Sequence, residues 1–431
     1  MTENQPTTPT DIAAAPTQPQ NHVVFIVHAS VGSGHRSAAR AIAQAFELLK
    51  KEHDGQVPSD LDVEVIDILD WGRHKFDGDR AASRFVGATR PVYDITWRYF
   101  FTGRAVWGGG TIWSKLMFSP FTEYVEQRRP MAVIATHIVA ANAAVAARME
   151  TGQDFPIVSV PTDYETEGLW PHRCSDLFCV ATESMAETLR ARKVEDDRIL
   201  ITGIPTREDY RRTYDKAAVR EKFGLPADKN VVLVLAGAYL PTPYLRFREA
   251  IDQVVPNMDT LEDLHIVFVA GADKAYEEHL HDECDKLGLS NVTILGYVTE
   301  MAALMAACNL VICKPGGLTV TECLCSQVPM ILLGKAYGQE KINVEMLTSL
   351  GAAMHVTTPR ELLDALRYVM LNPKSIEAML FNGRFIRRPD AARDIAHATM
   401  ELARTHKSPD DFLRKKNFVR CYWGDKPAHV R

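Results

Sequence analysis

The sequence lacks the long apolar runs, paired cysteines and basic excess that mark several common protein classes. It contains no stretch of eighteen consecutive apolar residues, so we expect no membrane-spanning helix. The eight cysteines include no Cys-x-x-Cys pair, which favours small apolar fillers in a reducing compartment over a zinc site or disulfide framework. Because the net charge is -6, no nucleic-acid partner is expected.

The first twenty residues also lack the basic start and apolar centre of a signal peptide. Residues 1–20 are rich in Thr, Pro and Gln, a composition that predicts a disordered tail on a cytoplasmic protein. The whole chain has 431 residues, more than one hydrophobic core normally supports. We therefore expect two domains, residues 21–210 and 211–388, because charged residues crowd between two series of strands near residues 205–228.

Short apolar segments alternate with helical patterns in both halves of the chain. In the first half they include residues 23–28, 63–68, 132–135 and 157–160, and after Asn230 a second series begins. Alternating strands and helices are typical of parallel sheets with helices on both faces. The pattern predicts an α/β protein.

A glycine-rich corner between residues 311 and 322 suggests a diphosphate-binding site. An apolar strand runs through Lys314 into Gly316 and Gly317, and a helix carrying Thr319 and Glu322 follows. Glycines let the backbone approach a ligand closely, and a helix N-terminus offers unpaired N–H groups and the positive end of a dipole. Glu322 could reach a sugar hydroxyl. The alternative is an ordinary strand-turn-helix corner.

A second polar loop follows the next apolar strand, residues 329–334. Gln339 and Glu340 begin the helix after it, and ligands bind at this edge of parallel sheets. Amide and carboxylate groups suit a hexose with several hydroxyls. The alternative is a solvated loop with a helix cap.

The first βα turn of the chain carries Gly32, Gly34 and His35. It is neither a Walker P-loop nor a full dinucleotide fingerprint, because the Lys-Ser/Thr pair and the third glycine are missing. An imidazole at a helix N-terminus tends to stay neutral, as a proton acceptor must be. His35 is therefore a candidate general base, and a capping or core histidine is the alternative.

These motifs, with 162–164, 203–205 and 295–297 in the same order, resemble processive diacylglycerol glucosyltransferases and plastid monogalactosyldiacylglycerol synthases. The resemblance implies a GT-B fold, two Rossmann-like domains facing a central cleft, and inverting transfer of a hexose from a UDP-sugar to a membrane lipid such as diacylglycerol. It implies peripheral binding to the inner face of the cell membrane and no separate cofactor. It also implies that a final segment, residues 389–431, crosses back to the N-terminal domain.

The same resemblance assigns roles to individual residues. Asp163 would assist His35 in catalysis, and Gly32 and Gly34 would lie beside the acceptor. The donor-binding set it implies is Gly237, Lys314, Gly316, Gly317, Thr319, Glu322, Gln339, Glu340 and Asn343.

Two positions depart from the family pattern. Glu167 stands where the family often has histidine, and Pro241 and Pro243 stiffen a loop that is usually glycine-rich. Two alternatives therefore stay open. The chain could be a non-catalytic sugar-nucleotide sensor or membrane adaptor, or a transferase acting on a polyprenyl-linked or other lipid.

Residues 71–130 predict a membrane-docking surface. They hold four of the six tryptophans, including Trp97, Trp107 and Trp113, and ten Lys/Arg against five Asp/Glu. Aromatic and basic side chains together suit shallow docking on an anionic membrane, although amphipathic core helices are the alternative. The Asp77-Gly78-Asp79 triplet has no flanking strand to aim both carboxylates at one ion, so no metal site is expected.

Overall fold

Two six-stranded parallel sheets form the framework of the chain. The computed structural model describes residues 22–30, 33–73, 111–166, 170–235, 245–260, 263–336 and 339–406. Every strand pairing within these ranges is parallel.

The first sheet has the order β2-β1-β3-β4-β5-β6 and the second has the order β12-β11-β10-β7-β8-β9. The strands of the first sheet are β1 Val23–His28, β2 Asp62–Asp67, β3 Ala132–Ala135, β4 Ile157–Ser159, β5 Leu177–Val180 and β6 Ile199–Ile201. Those of the second sheet are β7 Asn230–Leu235, β8 Leu264–Val269, β9 Val292–Leu295, β10 Leu310–Cys313, β11 Met330–Leu333 and β12 Met354–Val356. The prediction of an α/β protein with parallel sheets is confirmed.

Helices connect the strands and cover both faces of each sheet. They are α1 Gly34–Lys51, α2 Ser119–Arg128, α3 Ile138–Thr151, α4 Glu183–Ala191, α5 Lys216–Lys222, α6 Leu245–Val254, α7 Lys274–Leu287, α8 Met301–Ala307, α9 Gly317–Cys325, α10 Gln339–Ser349, α11 Pro359–Leu371, α12 Pro373–Gly383 and α13 Ala391–Thr405. Residues 111–117 are also helical. Short 3-10 turns cover Ile68–Trp71, Asp196–Arg198, Glu208–Arg211 and Val255–Thr260.

Strand β1 shows how side-chain alternation builds the two faces of the first sheet. Phe25 and Val27 point into a cluster with helices α2 and α3, whereas Val24 and Ile26 pack with α1 and α13. The strand is buried on both faces, which explains its continuous apolar sequence. The cluster that contains Phe25 continues into the second sheet, so one apolar core spans both halves of the described chain.

Helix α13 packs on the first sheet although it follows the second sheet in sequence. Ile395, Ala396 and Met400 are buried against β1 and α1. Arg393 donates to Glu52 at 2.7 Å and to Glu208 at 3.1 Å, which fixes the helix beside the end of α1. Helix α13, at the end of the described chain, therefore completes the cover on one face of the first sheet.

Each sheet has one point where the strand order reverses. In the first sheet this point lies between β1 and β3, and in the second it lies between β7 and β10. Open α/β sheets bind ligands at such points, outside the carboxyl ends of the strands. His35 follows the first reversal and Lys314 the second.

The seven cysteines within the described residues are buried and carry free thiols. This agrees with their expected use as small apolar fillers.

Candidate active site

His35 is held by two oxygen atoms at the edge of the first sheet. Its Nδ1 atom lies 3.1 Å from the carbonyl oxygen of Thr136 and 2.7 Å from Oγ1 of Thr162. A carbonyl oxygen can only accept, so Nδ1 carries the hydrogen in the neutral ring. The lone pair is then on Nε2, which is the arrangement a general base needs.

Burial is the main reason why the pKa of His35 lies below its usual value. The nearby Asp163 carboxylate raises the pKa in the opposite direction, but the effect of burial is larger. The imidazole is therefore neutral near pH 7. The two candidate catalytic residues lie close together.

The loop of Thr162 and Asp163 lies directly against the start of helix α9. A Cβ atom on Gly317 would overlap the carbonyl oxygen of Thr162 and would lie 2.8 Å from Oδ1 of Asp163. Only glycine allows this approach. Gly317 is therefore also a contact between the two halves of the molecule.

Asn343 also connects the loop of Thr162 and Asp163 to the turn before helix α9. Its Nδ2 atom donates to Oδ1 of Asp163 at 3.0 Å and to the carbonyl oxygen of Pro315 at 2.9 Å. Its Oδ1 atom accepts from the backbone N–H of Tyr164 at 3.0 Å. The side chain is fully buried, and it positions Asp163 beside the glycine turn. Its expected contact with the donor stays a prediction.

Two helix N-termini converge on this region. A Cβ atom on Gly34, at the start of α1, would lie 3.9 Å from Cβ of Leu318 in the first turn of α9. Among the residues that the structure describes, a Cβ atom on Gly316 would meet no atom within 4 Å. Both helices direct the positive ends of their dipoles here, which favours an anion.

Charged side chains gather at the carboxyl end of the second sheet. Burial lowers the pKa of Lys314 to about 8, and the nearby carboxylate of Glu340 acts in the opposite direction. Arg248 in the first part of α6 also acts on Lys314 and pairs with Asp273 at 2.7 Å. Gln339 begins helix α10 beside Glu340. Two cations therefore face the region that follows the second reversal point.

Glu322 lies on α9 beside Arg207 and Tyr210. Burial raises the pKa of Glu322 to about 7, and Arg207 and a hydrogen bond with Tyr210 partly oppose this effect. Thr319 lies one turn earlier in the same helix. Whether Glu322 or Glu340 holds a ribose stays a prediction. Arg207, Tyr210 and Arg248 were not expected at the site, because no motif in the sequence marks them.

The sequence motifs also gave no role to two other histidines beside His35. His28 ends strand β1 with its Nδ1 atom 4.0 Å from a carboxylate oxygen of Asp67, and burial lowers its pKa. His137 follows strand β3, and its ring contacts that of His35 edge to face at 4.5 Å between centroids. The sequence did show that His28 ends an apolar strand and that His137 closely follows another.

Helical residues 111–117 carry an exposed apolar surface. Ile112, Trp113 and Leu116 are 49%, 44% and 56% exposed, whereas Lys115 pairs with Glu150 at 2.7 Å. This part of the expected docking segment is therefore apolar rather than basic. Across the described ranges, no helix combines the length and apolar character needed to cross a bilayer.

Several predicted residues lie outside the described part of the chain. They are Gly32, Asp77, Asp79, Trp97, Trp107, Glu167, Gly237, Pro241 and Pro243.

Two family models match the chain in succession. Residues 35–206 match the monogalactosyldiacylglycerol (MGDG) synthase family, and residues 231–390 match the glycosyltransferase family 28 C-terminal domain. The processive diacylglycerol beta-glucosyltransferase of Bacillus licheniformis is 28% identical over 64% of this chain and 68% of its own length. The enzyme of that name from Bacillus cytotoxicus is 25% identical over 89% of this chain and 94% of its own.

Solved structures share the fold at lower identity. MurG of Acinetobacter baumannii superposes with a TM-score of 0.54 at 18% identity and covers 88% of this chain and 99% of its own. The UDP co-structure of Staphylococcus aureus MnaA superposes with a TM-score of 0.56 at 13% identity, covering 90% and 98%. The expected GT-B architecture is confirmed. The chain is a glycosyltransferase whose first part matches the MGDG synthase family and whose second part matches the glycosyltransferase family 28 C-terminal domain.

Proposed function

We propose that this glycosyltransferase moves a hexose from a UDP-sugar to diacylglycerol, with inversion at the anomeric carbon. The relatives named processive diacylglycerol beta-glucosyltransferase support the acceptor and the sugar class. The UDP co-structure with the same fold supports the nucleotide. The observation that carries the mechanism is the position of His35, with Nδ1 satisfied by Thr136, across from the start of helix α9.

In the proposed reaction, Nε2 of His35 takes the proton of the acceptor hydroxyl. The hydroxyl oxygen attacks the anomeric carbon from the face opposite the leaving group, so the configuration inverts. The bond between that carbon and the diphosphate breaks, and its electron pair leaves with UDP. Asp163 favours the imidazolium that forms, since its carboxylate already raises the pKa of His35.

The leaving diphosphate would lie at the start of α9, beside the open side of Gly316. The helix N-terminus, Lys314 and Arg248 all favour negative charge there. Because burial lowers the pKa of Lys314 to about 8, a bound diphosphate would raise it again and keep the ammonium charged. The reaction needs no separate cofactor, because the donor carries its own leaving group.

The remaining donor contacts follow the predicted assignments. Glu322 or Glu340 would accept hydrogen bonds from the ribose hydroxyls, and Gln339 would orient the sugar. Thr319 and Gly237 would lie along the nucleotide.

The acceptor would enter the cleft from the inner face of the cell membrane. Ile112, Trp113 and Leu116 form an apolar surface next to the acceptor-side domain, and such side chains bury well at headgroup depth. Anionic lipid would add attraction through the basic residues of 71–130.

A transfer assay with the purified chain tests the reaction. UDP-glucose and UDP-galactose are each offered with diacylglycerol, a polyprenyl-phosphate-linked sugar or no lipid, in vesicles of phosphatidylglycerol and phosphatidylcholine. We expect a hexosyl-diacylglycerol whose anomeric configuration, read by NMR, is the opposite of the donor's. Transfer only to the polyprenyl-linked sugar, or retention of configuration, would contradict the proposal.

Vesicle sedimentation tests the docking surface. Replacing Trp113 and Leu116 by Ala should reduce the bound fraction, because both side chains lose buried apolar area. Leu371→Ala is the matched control, since Leu371 is also strongly exposed but lies on α11 of the other domain. An equal loss of vesicle binding in the Trp113 and Leu116 variant and in Leu371→Ala would contradict the assignment of this apolar surface to membrane docking.

A further inference from the structure

His137 lies beside the candidate base and faces the same edge of the first sheet. Strands β1 and β3 are neighbours with Val27 paired to Ala135, so the segments that follow them emerge side by side. The rings of His35 and His137 meet edge to face, at 79° between planes. The mechanism derived above uses only one of these two imidazoles.

The backbone fixes the tautomer of His137. This residue is the N-cap of helix α3, and its Nδ1 atom accepts a hydrogen bond from the backbone N–H of Val139 at 3.1 Å. A nitrogen that accepts has no hydrogen in the neutral ring, so the hydrogen of His137 must be on Nε2. Burial and the neighbouring histidines His35 and His28 hold its pKa well below the usual range, which keeps the ring neutral.

The two rings are therefore complementary. His35 has its hydrogen on Nδ1 and a lone pair on Nε2, whereas His137 has the lone pair on Nδ1 and its hydrogen on Nε2. Within the part of the chain that the structure describes, neither Nε2 atom has a hydrogen-bond partner. Both residues are only partly buried.

We propose that His137 is a second catalytic residue, whose Nε2–H donates a hydrogen bond to the acceptor hydroxyl oxygen while Nε2 of His35 accepts that hydroxyl's proton. A hydroxyl group both donates and accepts hydrogen bonds. This pair of imidazoles would accept its hydrogen and donate to its oxygen, which fixes the orientation of the hydroxyl group. The inference rests on the proposed transfer to a hydroxyl acceptor. It adds the group that holds the reacting oxygen.

The proposed contact strengthens as the reaction proceeds. Negative charge develops on the acceptor oxygen while its proton moves to His35, and a fixed donor at that oxygen stabilises the charge. His137 keeps its own proton throughout. The new bond joins the acceptor oxygen to the anomeric carbon, and the old bond's electron pair leaves with UDP, so atoms and charge balance.

Two substitutions at position 137 separate this role from helix capping. His137→Asn keeps a side-chain oxygen that can cap α3, but it removes the donor at the Nε2 position. His137→Gln places an amide N–H near the former Nε2 position but is a poor cap. If His137 only caps the helix, the Asn variant should be active and the Gln variant impaired.

We expect the opposite order. At saturating UDP-sugar, kcat for transfer to diacylglycerol should fall by about 10- to 100-fold in His137→Asn, as for loss of a hydrogen bond to a charged group. His137→Gln should recover part of this loss. UDP affinity, measured by calorimetry, and the thermal unfolding temperature of His137→Asn should match the wild type. Wild-type turnover in His137→Asn would overturn the inference.

A double variant decides between the two roles if His137→Asn and His137→Gln both turn over slowly. In a His35→Ala background the donor has no partner base, so His137→Asn should add much less than its separate loss. Full additivity would overturn the inference. An inactive wild-type chain would overturn the proposed function, and with it this role. An active wild type with an equally active His137→Asn variant would overturn the inference alone.

Discussion

The Nδ1 atom of His35 is occupied by Thr136 and Thr162, so only Nε2 is left for chemistry. General-base assistance is typically worth about 10² to 10⁴ in rate, and His35→Ala should lower kcat by about that factor. UDP should still bind, since its contacts are expected on the C-terminal domain. His281→Ala on the exposed face of α7 is the matched control.

The pH profile of the wild-type enzyme checks the same residue. Burial lowers the pKa of His35 in the free enzyme, so the acid limb of kcat/KM should have its midpoint below 6.5. A limb above that value would indicate another titrating group.

Glu322 links pH to stability with a definite sign. Its pKa is about 7 in the folded chain and near 4.5 when exposed, so the folded state binds its proton more tightly. The stabilisation present at low pH is therefore lost as pH rises from about 4.5 to 7, an effect of about 3 kcal/mol. Glu322→Gln should thus gain stability relative to wild type at pH 8 compared with pH 5.

Urea unfolding at both pH values measures this difference. Glu401→Gln on the exposed face of α13 is the control, and it should show the same pH dependence as wild type. A pH dependence of Glu322→Gln indistinguishable from that of wild type would contradict the buried, protonated state.

Single residues also show what the sequence could predict about the site. His35, Gly317 and Glu322 were identified because each lies within a local strand-turn-helix pattern. The contact of Thr162 with His35 joins residues 127 positions apart, and Asn343 reaches Asp163 across 180 positions. Local patterns contain no information on such distances, because the strand order of the first sheet sets the first contact and the packing of the two domains sets the second. His137 was missed because no motif surrounds it.

At the scale of elements, helix α9 depends on two glycines with different surroundings. A methyl group at Gly317 would overlap the carbonyl of Thr162, whereas one at Gly316 would meet no atom of the described residues within 4 Å. Gly317→Ala should therefore destabilise the chain by about 1–3 kcal/mol, the usual range for overpacking, and should displace α9 from the first domain. Gly316→Ala should unfold at the wild-type temperature in the absence of ligand.

Thermal unfolding of both variants tests this difference, and UDP calorimetry shows whether the displaced helix still binds. Equal unfolding temperatures for Gly317→Ala and Gly316→Ala would mean that the two domains do not meet there in solution.

Not every strand could be predicted from its own sequence. Residues 23–28 gave a clear strand prediction, because they form a fully buried run rich in β-branched residues. Strands Ile199–Ile201 and Met354–Val356 have three residues each, too few to show a period. Their pairing comes from the neighbouring strands rather than from their own sequence.

At the scale of the whole molecule, the chain crosses between the two domains twice at one place. Gly203 has φ of 94°, and a Cβ atom there would overlap Cβ of Arg388 just before α13 begins. The ion pair between Arg211 and Asp390 lies beside this crossing. The two connections between the domains therefore lie side by side. This arrangement suits rotation of one domain against the other about a single hinge.

The return of helix α13 makes the first domain discontinuous in sequence. A fragment that ends at Thr213 would leave the faces of β1 and α1 that bury Ile395 and Met400 uncovered. We expect this fragment to aggregate alone and to become monodisperse when co-expressed with residues 214–431. Gel filtration of the two preparations measures this, and a monomeric, folded first fragment would contradict it.

The position of α13 also sets the order of events during synthesis. The strands of the first sheet leave the ribosome early, but the helix that covers one of their faces begins only at Ala391. Until α13 has been made, that apolar face lacks the helix that covers it. The nascent first domain should therefore be a chaperone client until α13 emerges, and the docking of α13 should release it.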